Sequence, residues 1–344
     1  YAWLIAQGHT DQALRVILSR NPLPGITGYV CTHLCQTRCT RNNYDEPVAI
    51  RALKRYATEH GQASLHEAPA RQERVAIIGS GPAGLAAATF LALNGVQVTI
   101  LEAKDRAGGM PAIAPSFRLP AAVVDEDVER VKALGVEIKL SHSIAGRPEA
   151  LLQEGFDAVF VGTGFPNDAR LDIEGLSSHG VFSALDLLER TARGEQVELG
   201  ERVLVIGGGN TAMDAARTAQ RLSGRPVTVV YRRTRDEMPA TDEEKEDLLA
   251  EGNQLVELAS PVRVLAQDGR VAGLECVRNA LGEPGRDGRR QPVPVPGSEF
   301  QIPADAIIFA IGQAPEITFL DGSSVTLHKN GAIKTDGRTG QAGQ

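Results

Sequence analysis

A surplus of positive charge is missing from this sequence: 36 Lys and Arg stand against 43 Asp and Glu, a formal charge of −7 at pH 7. General attraction to phosphate backbones or anionic membrane surfaces is thereby weakened, which argues against a nucleic-acid or peripheral-membrane role. Cysteine is sparse, four in 344 residues, so no disulfide scaffold is encoded and a reducing, cytoplasmic compartment is expected. No long apolar run survives uninterrupted. The most apolar region, residues 75–101, contains Gly79, Gly81, Pro82, Gly84, Asn94, Gly95 and Gln97, which a bilayer-spanning helix does not normally tolerate together. Neither membrane insertion nor a signal peptide is expected. An initiator Met is also missing, and a chain opening at Tyr1 is expected to be part of something longer. Aromatic residues make up only 4%, but 42% hydrophobic content supplies material for at least two packed cores and excludes disorder and collagen-like repetition.

Residues 1–62 read as helices and loops. Thr10 and Asp11 can cap a helix that carries Ala13, Leu14, Ile17 and Leu18 on one face, and a second helix fits residues 46–60, with Gly61 as its stop. A polar stretch, 63–73, serves as a linker. Beyond it short apolar runs alternate with helical segments, the pattern of parallel α/β architecture. A strand over Arg74–Ile78, a helix over Pro82–Leu93 and a strand over 96–101 form one unit; 202–206, 211–222 and 227–231 repeat the plan. Two interleaved Rossmann-like dinucleotide-binding domains follow from this repetition. Apolar strands at 157–161 and 306–311 mark the crossings, which divides the chain into 74–165, 166–303 and a return over 304–344. The acidic run 236–251 reads as a solvated helical face.

The first repeat carries Gly79-Ser80-Gly81-Pro82-Ala83-Gly84 between strand and helix, with Glu102 at the end of the next strand. Gly79 permits a tight turn, Gly81 lets a pyrophosphate approach the backbone, and Gly84 lets the helix pack close to the strand. The helix N-terminus offers N–H groups to phosphate, and the Glu102 carboxylate can accept hydrogen bonds from ribose hydroxyls. Gly108-Gly109 follows, a doublet where backbone can pass close to a cofactor. The second repeat carries Gly207-Gly208-Gly209-Asn210-Thr211-Ala212. Twenty-three residues beyond Gly79 stands Glu102, whereas the same count from Gly207 reaches Val230, followed by Tyr231-Arg232-Arg233. Two guanidiniums replace the carboxylate, which suits a 2′-phosphate and points to NADP rather than NAD. A ligand-free Gly-rich turn and an unrelated basic turn are the plain alternatives. Together the repeats imply hydride transfer from nicotinamide to flavin.

Cys31, Cys35 and Cys39 fall within nine residues. Such grouping points to an iron–sulfur cluster, because thiolates suit iron in both oxidation states; zinc with His33 as fourth ligand and unligated buried thiols remain alternatives. Three thiols cannot complete a four-Cys site. Cys276, remote in sequence within an apparent strand, reads as a core residue.

Residues 21–28, the three cysteines and Asp45-Glu46-Pro47-Val48-Ala49-Ile50 resemble the N-terminal iron–sulfur domain of the glutamate synthase small (beta) subunit and its relatives. Those relatives include selenate-reductase-like iron–sulfur subunits, whose branch the cysteine segment with Gln36 and Arg41 resembles most, and the flavin-bearing half of dihydropyrimidine dehydrogenase. The likeness continues through both glycine turns, Glu102, Gly108-Gly109, Arg232-Arg233 and residues 237–240. The resemblance implies that Gly79 to Gly84 and Glu102 hold FAD, that Gly207 to Ala212 with Arg232 and Arg233 hold NADPH, and that Cys31, Cys35 and Cys39 ligate 4Fe–4S clusters serving an electron-accepting partner subunit or domain. The family's earlier cysteine group and its Gly-Asp element near the flavin ribityl chain are expected outside residues 1–344. The expected fold is thus α/β, two dinucleotide-binding domains behind a small α-helical iron–sulfur domain. Hydride alignment needs no side-chain acid, base or nucleophile, so no residue is singled out as catalytic. The rival readings are a stand-alone NADPH:acceptor reductase with a scaffold N-terminal domain, and a non-catalytic nucleotide-binding module for assembly or sensing.

Overall fold

The computed structural model describes residues 1–65, 68–144, 146–169, 171–285 and 287–343; His66 and Glu67 of the expected linker and Gln344 of the expected return segment lie outside the described residues. The chain divides into two compact units, Tyr1–Pro166 with Pro315–Gln344, and Asn167–Ala314.

The first unit opens with helices α1 (Ala2–Ala6), α2 (Thr10–Leu18), α3 (Pro24–Val30), α4 (Leu34–Thr37) and α5 (Ile50–His60). Ala13, Leu14, Ile17 and Leu18 are the buried face of α2, as their spacing requires. Its start differs from expectation. His9 is the N-cap, without a side-chain bond, and Asp11 instead accepts the Gln62 N–H at 2.7 Å. Helix α5 begins at Ile50, four residues later than expected; Pro47 biases Glu46 away from helical geometry, which rules out a start at Glu46.

The sheet of this unit is built from β1 (Arg74–Ile78), α6 (Pro82–Leu93), β2 (Gln97–Leu101), α7 (Ala121–Lys132), β3 (Glu137–Lys139), α8 (Glu149–Gln153) and β4 (Ala158–Val161). Its order is β3-β2-β1-β4, all parallel, with Ile77 opposite Ile100 and Phe160. Leu23 and Ile26 of the helical segment enter the same core as Ile77, Leu85 and Ile100. A buried carboxylate fastens them there. Asp127 of α7 accepts the N–H groups of Gly25 (3.2 Å) and Ile26 (2.8 Å) at the start of α3 and pairs with Arg130 at 2.6 Å.

The second unit comprises β5 (Asn167–Asp168), β6 (Val181–Ser183), α9 (Ala184–Ala192), β7 (Val203–Ile206), α10 (Asn210–Ser223), β8 (Thr228–Val230), α11 (Asp242–Ala250), β9 (Gln254–Val256), β10 (Ala259–Gln267), β11 (Arg270–Pro284), β12 (Arg290–Pro303), β13 (Ala306–Phe309) and β14 (Gln313–Ala314). Five strands form a parallel sheet, β6-β13-β7-β8-β9; β10-β11-β12 are antiparallel, and β14 pairs with β5. The α/β class and the doubled dinucleotide-binding plan are therefore those read from the sequence.

Two expectations need correction. The return segment does not begin at 304: β13, buried along its whole length, is flanked on both sides by parallel strands of the second sheet, and the second unit ends at Ala314. Asp305 locks this arrangement by accepting the N–H groups of Glu201 (3.1 Å) and Arg202 (2.9 Å), and the Arg202 guanidinium holds its carboxyl down at about 2. Nor is the acidic run simply solvated. Glu244 is buried, and Glu244, Asp247 and Glu251 surround the largely buried Arg217 of α10. No helix among the described residues is long and apolar enough to cross a membrane.

Asp127→Ala leaves two buried N–H groups without their acceptor. We expect a loss of about 2–3 kcal/mol in denaturant unfolding of the first unit, whereas Glu129→Ala on the exposed side of α7 stays within about 0.5 kcal/mol. Equal, small effects would show that the helical segment is not held through Asp127.

Candidate functional site

In the first unit β1 ends at Gly79, whose φ is +98° and where a Cβ would lie 2.6 Å from the Gly162 carbonyl oxygen. A Cβ on Gly84 would come within 1.9 Å of the Gly79 carbonyl oxygen, so α6 presses directly on the strand end. Gly81 caps α6 without any side-chain bond and Pro82 follows, which leaves the first-turn N–H groups for a ligand. Gly109 rests on this turn, since its Cβ would stand 2.7 Å from the Gly81 Cα, and the Gly108 N–H donates to the Ser80 carbonyl at 3.1 Å. Glu102 is 8% exposed. Its Oε2 accepts the Ser80 N–H (2.8 Å) and hydroxyl (2.6 Å), and its Oε1 accepts the Lys104 N–H (2.9 Å). The carboxylate is thus aimed by three donors and keeps acceptor capacity for a ribose. Gly79, Ser80, Gly81, Pro82, Ala83, Gly84, Glu102, Gly108 and Gly109 all gather around the start of α6. This bare cradle with an acid at its side fits a flavin dinucleotide.

In the second unit a cleft of about 530 Å³ opens beside the β7 turn, lined by Gly207, Gly208, Gly209 and Thr211 and, from the end of β8, by Arg232 and Arg233. Gly207 has φ +151°, and its Cβ would meet the Ala310 carbonyl oxygen at 2.3 Å. Asn210 and Ala212 are placed differently from the other expected residues. The Asn210 Oδ1 accepts the Thr241 N–H at 3.0 Å, and Ala212 is fully buried in the core. Arg232 is exposed, whereas Arg233 is 3% exposed with its Nε donating to the Arg290 carbonyl. The chain at the end of β8 reads Val230-Tyr231-Arg232-Arg233, with no carboxylate among these four residues. A dinucleotide bearing an extra phosphate suits this cleft.

Several residues in or behind the cleft carried no role in the sequence reading. Tyr231 stacks so closely on the turn that a Cβ on Gly208 would lie 2.4 Å from its ring, and its hydroxyl donates to the Glu237 carbonyl at 2.9 Å. Met238 is buried in the same core as Met213, Pro239 lines the cleft, and the Ala240 N–H donates to the Gly208 carbonyl at 3.0 Å, so residues 238–240 brace the glycine turn. Asp168 reaches the cleft from β5 and accepts the Ser183 hydroxyl; burial pushes its carboxyl up. Arg289 arrives from the β11–β12 hairpin. An Arg-Arg pair at 289–290 was readable, but the pairing that brings it here was not.

Cys31 closes α3, Cys35 lies exposed in α4, and Cys39 precedes a 3₁₀ turn at Thr40–Asn43. His33 sits at φ +40°, and its N–H points to the Cys31 Sγ at 3.4 Å. The Cys39 thiol is held below its ordinary value by the N–H groups of Val48 and Arg41 and by the Arg41 charge. These thiols suit a soft metal. Yet among the described residues no three His, Cys, Asp or Glu side chains are grouped to hold a metal ion, so they do not by themselves form a complete cluster or zinc site. Cys276 is fully buried in β11, and burial pushes its thiol up to about 12.

This geometry has known counterparts. Residues 73–341 match the pyridine nucleotide-disulphide oxidoreductase family, and residues 1–65 match dihydropyrimidine dehydrogenase domain II, 4Fe-4S cluster. The chain belongs to the pyridine nucleotide-disulphide oxidoreductase family. More particularly, it is 35% identical, over 96% of its length, to the glutamate synthase [NADPH] small chain of Halomonas elongata, 74% of which it covers. It is 41% identical over 98% of its length to the beta subunit of the NADP(+)-dependent formate dehydrogenase of Moorella thermoacetica, and 39% identical over 97% to the NADPH-Fe(3+) oxidoreductase subunit beta of Geobacter sulfurreducens. It spans 52% of each of these two relatives. Among solved structures, Mycobacterium tuberculosis FprA in complex with NADPH shares the fold at a TM-score of 0.61 and 19% identity, over 79% of this chain and 75% of that one. These memberships support an oxidoreductase with FAD, NADPH and iron–sulfur clusters as cofactors.

Proposed function

We propose that this chain is the NADPH-oxidising, FAD-binding part of a cytoplasmic electron-transfer oxidoreductase, and that it delivers electrons to an iron–sulfur partner subunit or domain. The observation that carries this reading is the contrast between two otherwise similar turns. One has a buried carboxylate, Glu102, aimed by Ser80 and Lys104; the other has Arg232 and Arg233 where that carboxylate would stand. Flavin, when bound, supplies a ring that accepts a hydride and releases electrons singly. The residues of this chain bind and orient. Gly81 and the N-terminus of α6 take the flavin pyrophosphate, Glu102 the ribose hydroxyls, Gly207 to Gly209 the NADPH pyrophosphate, and Arg232 its 2′-phosphate. Arg233, whose Nε is spent on the Arg290 carbonyl, contributes charge and holds the neighbouring hairpin. Cys31, Cys35 and Cys39 supply thiolates for iron–sulfur ligation.

Two experiments on the full-length protein test this reading. Arg232→Gln removes a charge-assisted contact worth about 1.5–3 kcal/mol, so KM for NADPH should rise about tenfold or more while that for NADH stays within about twofold. Equal rises for both cofactors would place the 2′-phosphate elsewhere. Cys35→Ala should lower the iron content and slow reduction of a downstream acceptor while stopped-flow reduction of the flavin by NADPH keeps its rate. If acceptor reduction and iron content both survive, the N-terminal helices are a scaffold and the protein is a stand-alone reductase.

A further inference from the structure

The antiparallel strands β11 and β12 are 15 and 14 residues long, but only their inner part builds core: Val271, Leu274 and Cys276 are buried, while none of the described residues from 281 to 290 is. A hairpin that extends without burying apolar surface gains little from the hydrophobic effect. Polar tethers hold it to the nucleotide-binding unit instead. The Arg233 Nε donates to the Arg290 carbonyl, the Arg290 N–H (3.2 Å) and Nε (2.8 Å) donate to the Glu237 carboxylate, and the Asn279 amide donates to the Arg232 carbonyl at 2.9 Å. Every tether lands on the loop that follows β8, the loop that carries the two cleft arginines.

At the tip, Arg289 lines the cleft together with Arg232 and Arg233. Its Nε (2.9 Å) and Nη2 (2.7 Å) donate to one oxygen of Asp287, whose other oxygen accepts the Arg289 N–H at 3.1 Å. The guanidinium is thereby oriented, and it also hydrogen-bonds the Tyr231 side chain; of its five N–H donors two go to Asp287 and one to Tyr231, which leaves two for a ligand. Arg232, Arg233, Arg289 and Arg290 against Glu237 and Asp287 give this fastened group a net charge of +2 (four minus two). A phosphate monoester of about −1.5 to −2 complements it.

We propose that Arg289 is the third guanidinium of the 2′-phosphate site and that the β11–β12 hairpin is a specificity arm for phosphorylated dinucleotides. The inference rests on the reading of this cleft as the NADPH site. Asp287 acts as the positioning residue that holds Arg289 in the cleft before the nucleotide arrives.

The test is calorimetric titration of the full-length protein, wild type, Arg289→Gln and Arg289→Lys, with 2′,5′-ADP and with 5′-AMP, which differ by the one phosphate. Wild type should prefer 2′,5′-ADP. Arg289→Gln should lose about tenfold or more in affinity for 2′,5′-ADP and stay within about twofold for 5′-AMP, with Arg289→Lys between. An unchanged thermal midpoint establishes that each variant is folded. If Arg289→Gln keeps the wild-type preference, or weakens both ligands alike, the hairpin does not read the phosphate and the proposal fails while the NADPH reading stands. If wild type itself shows no preference, both fail.

Discussion

A parallel strand buried on both faces ends where the N–H groups of the next helix begin, and the chain must turn there without filling the space a phosphate would occupy. Glycine is what makes that turn possible in both units. At Gly79 and Gly207 the backbone takes positive φ and lies against another carbonyl at a distance no Cβ allows. At Gly84 the helix is pressed on the strand end closely enough that even alanine would collide with the Gly79 carbonyl. The rest of each site depends on this closeness, because it sets how far the next strand's end stands from the turn and therefore which side chain faces it.

Once the turn is fixed, charge distinguishes the two sites. In the first unit Glu102 is buried, which costs free energy unless its oxygens are paired; Ser80 and Lys104 supply those partners and fix its direction at the same time. In the second unit the corresponding strand end carries cations. Arg233 is buried as well, and its compensation is the Arg290 carbonyl, so the same side chain that carries charge at the strand end also holds the hairpin. The N-terminal helices follow a similar economy: Asp127 satisfies the start of α3 from inside the first core, which places the cysteine loop on a fixed support.

The strands and helices around both turns were legible because a buried parallel strand is a short apolar run and its helix follows within a few residues; Arg74–Ile78 and Pro82–Leu93 have the bounds read from the sequence. Glu102 and the absence of its equivalent were legible because the offset from turn to strand end is fixed by the fold. What stayed hidden depends on partners distant in sequence. Residues 306–309 look alike whether they close the first sheet or the second, and only their pairing with Val203–Ile206 and Val181–Ser183 decides it. The acidic run gave no sign of Arg217, the cation it surrounds. Arg289 sits 82 residues beyond Gly207 and reaches the cleft through an antiparallel ladder whose register no local pattern encodes.

Under the proposed function, the cation-lined unit takes NADPH and the carboxylate-lined unit takes the flavin that it reduces. Anaerobic addition of NADPH to the flavin-loaded full-length protein, followed by flavin absorbance, tests it most directly. The account predicts stoichiometric bleaching by NADPH and much slower bleaching by an equal concentration of NADH. A flavin that keeps its oxidised spectrum under excess NADPH would contradict it.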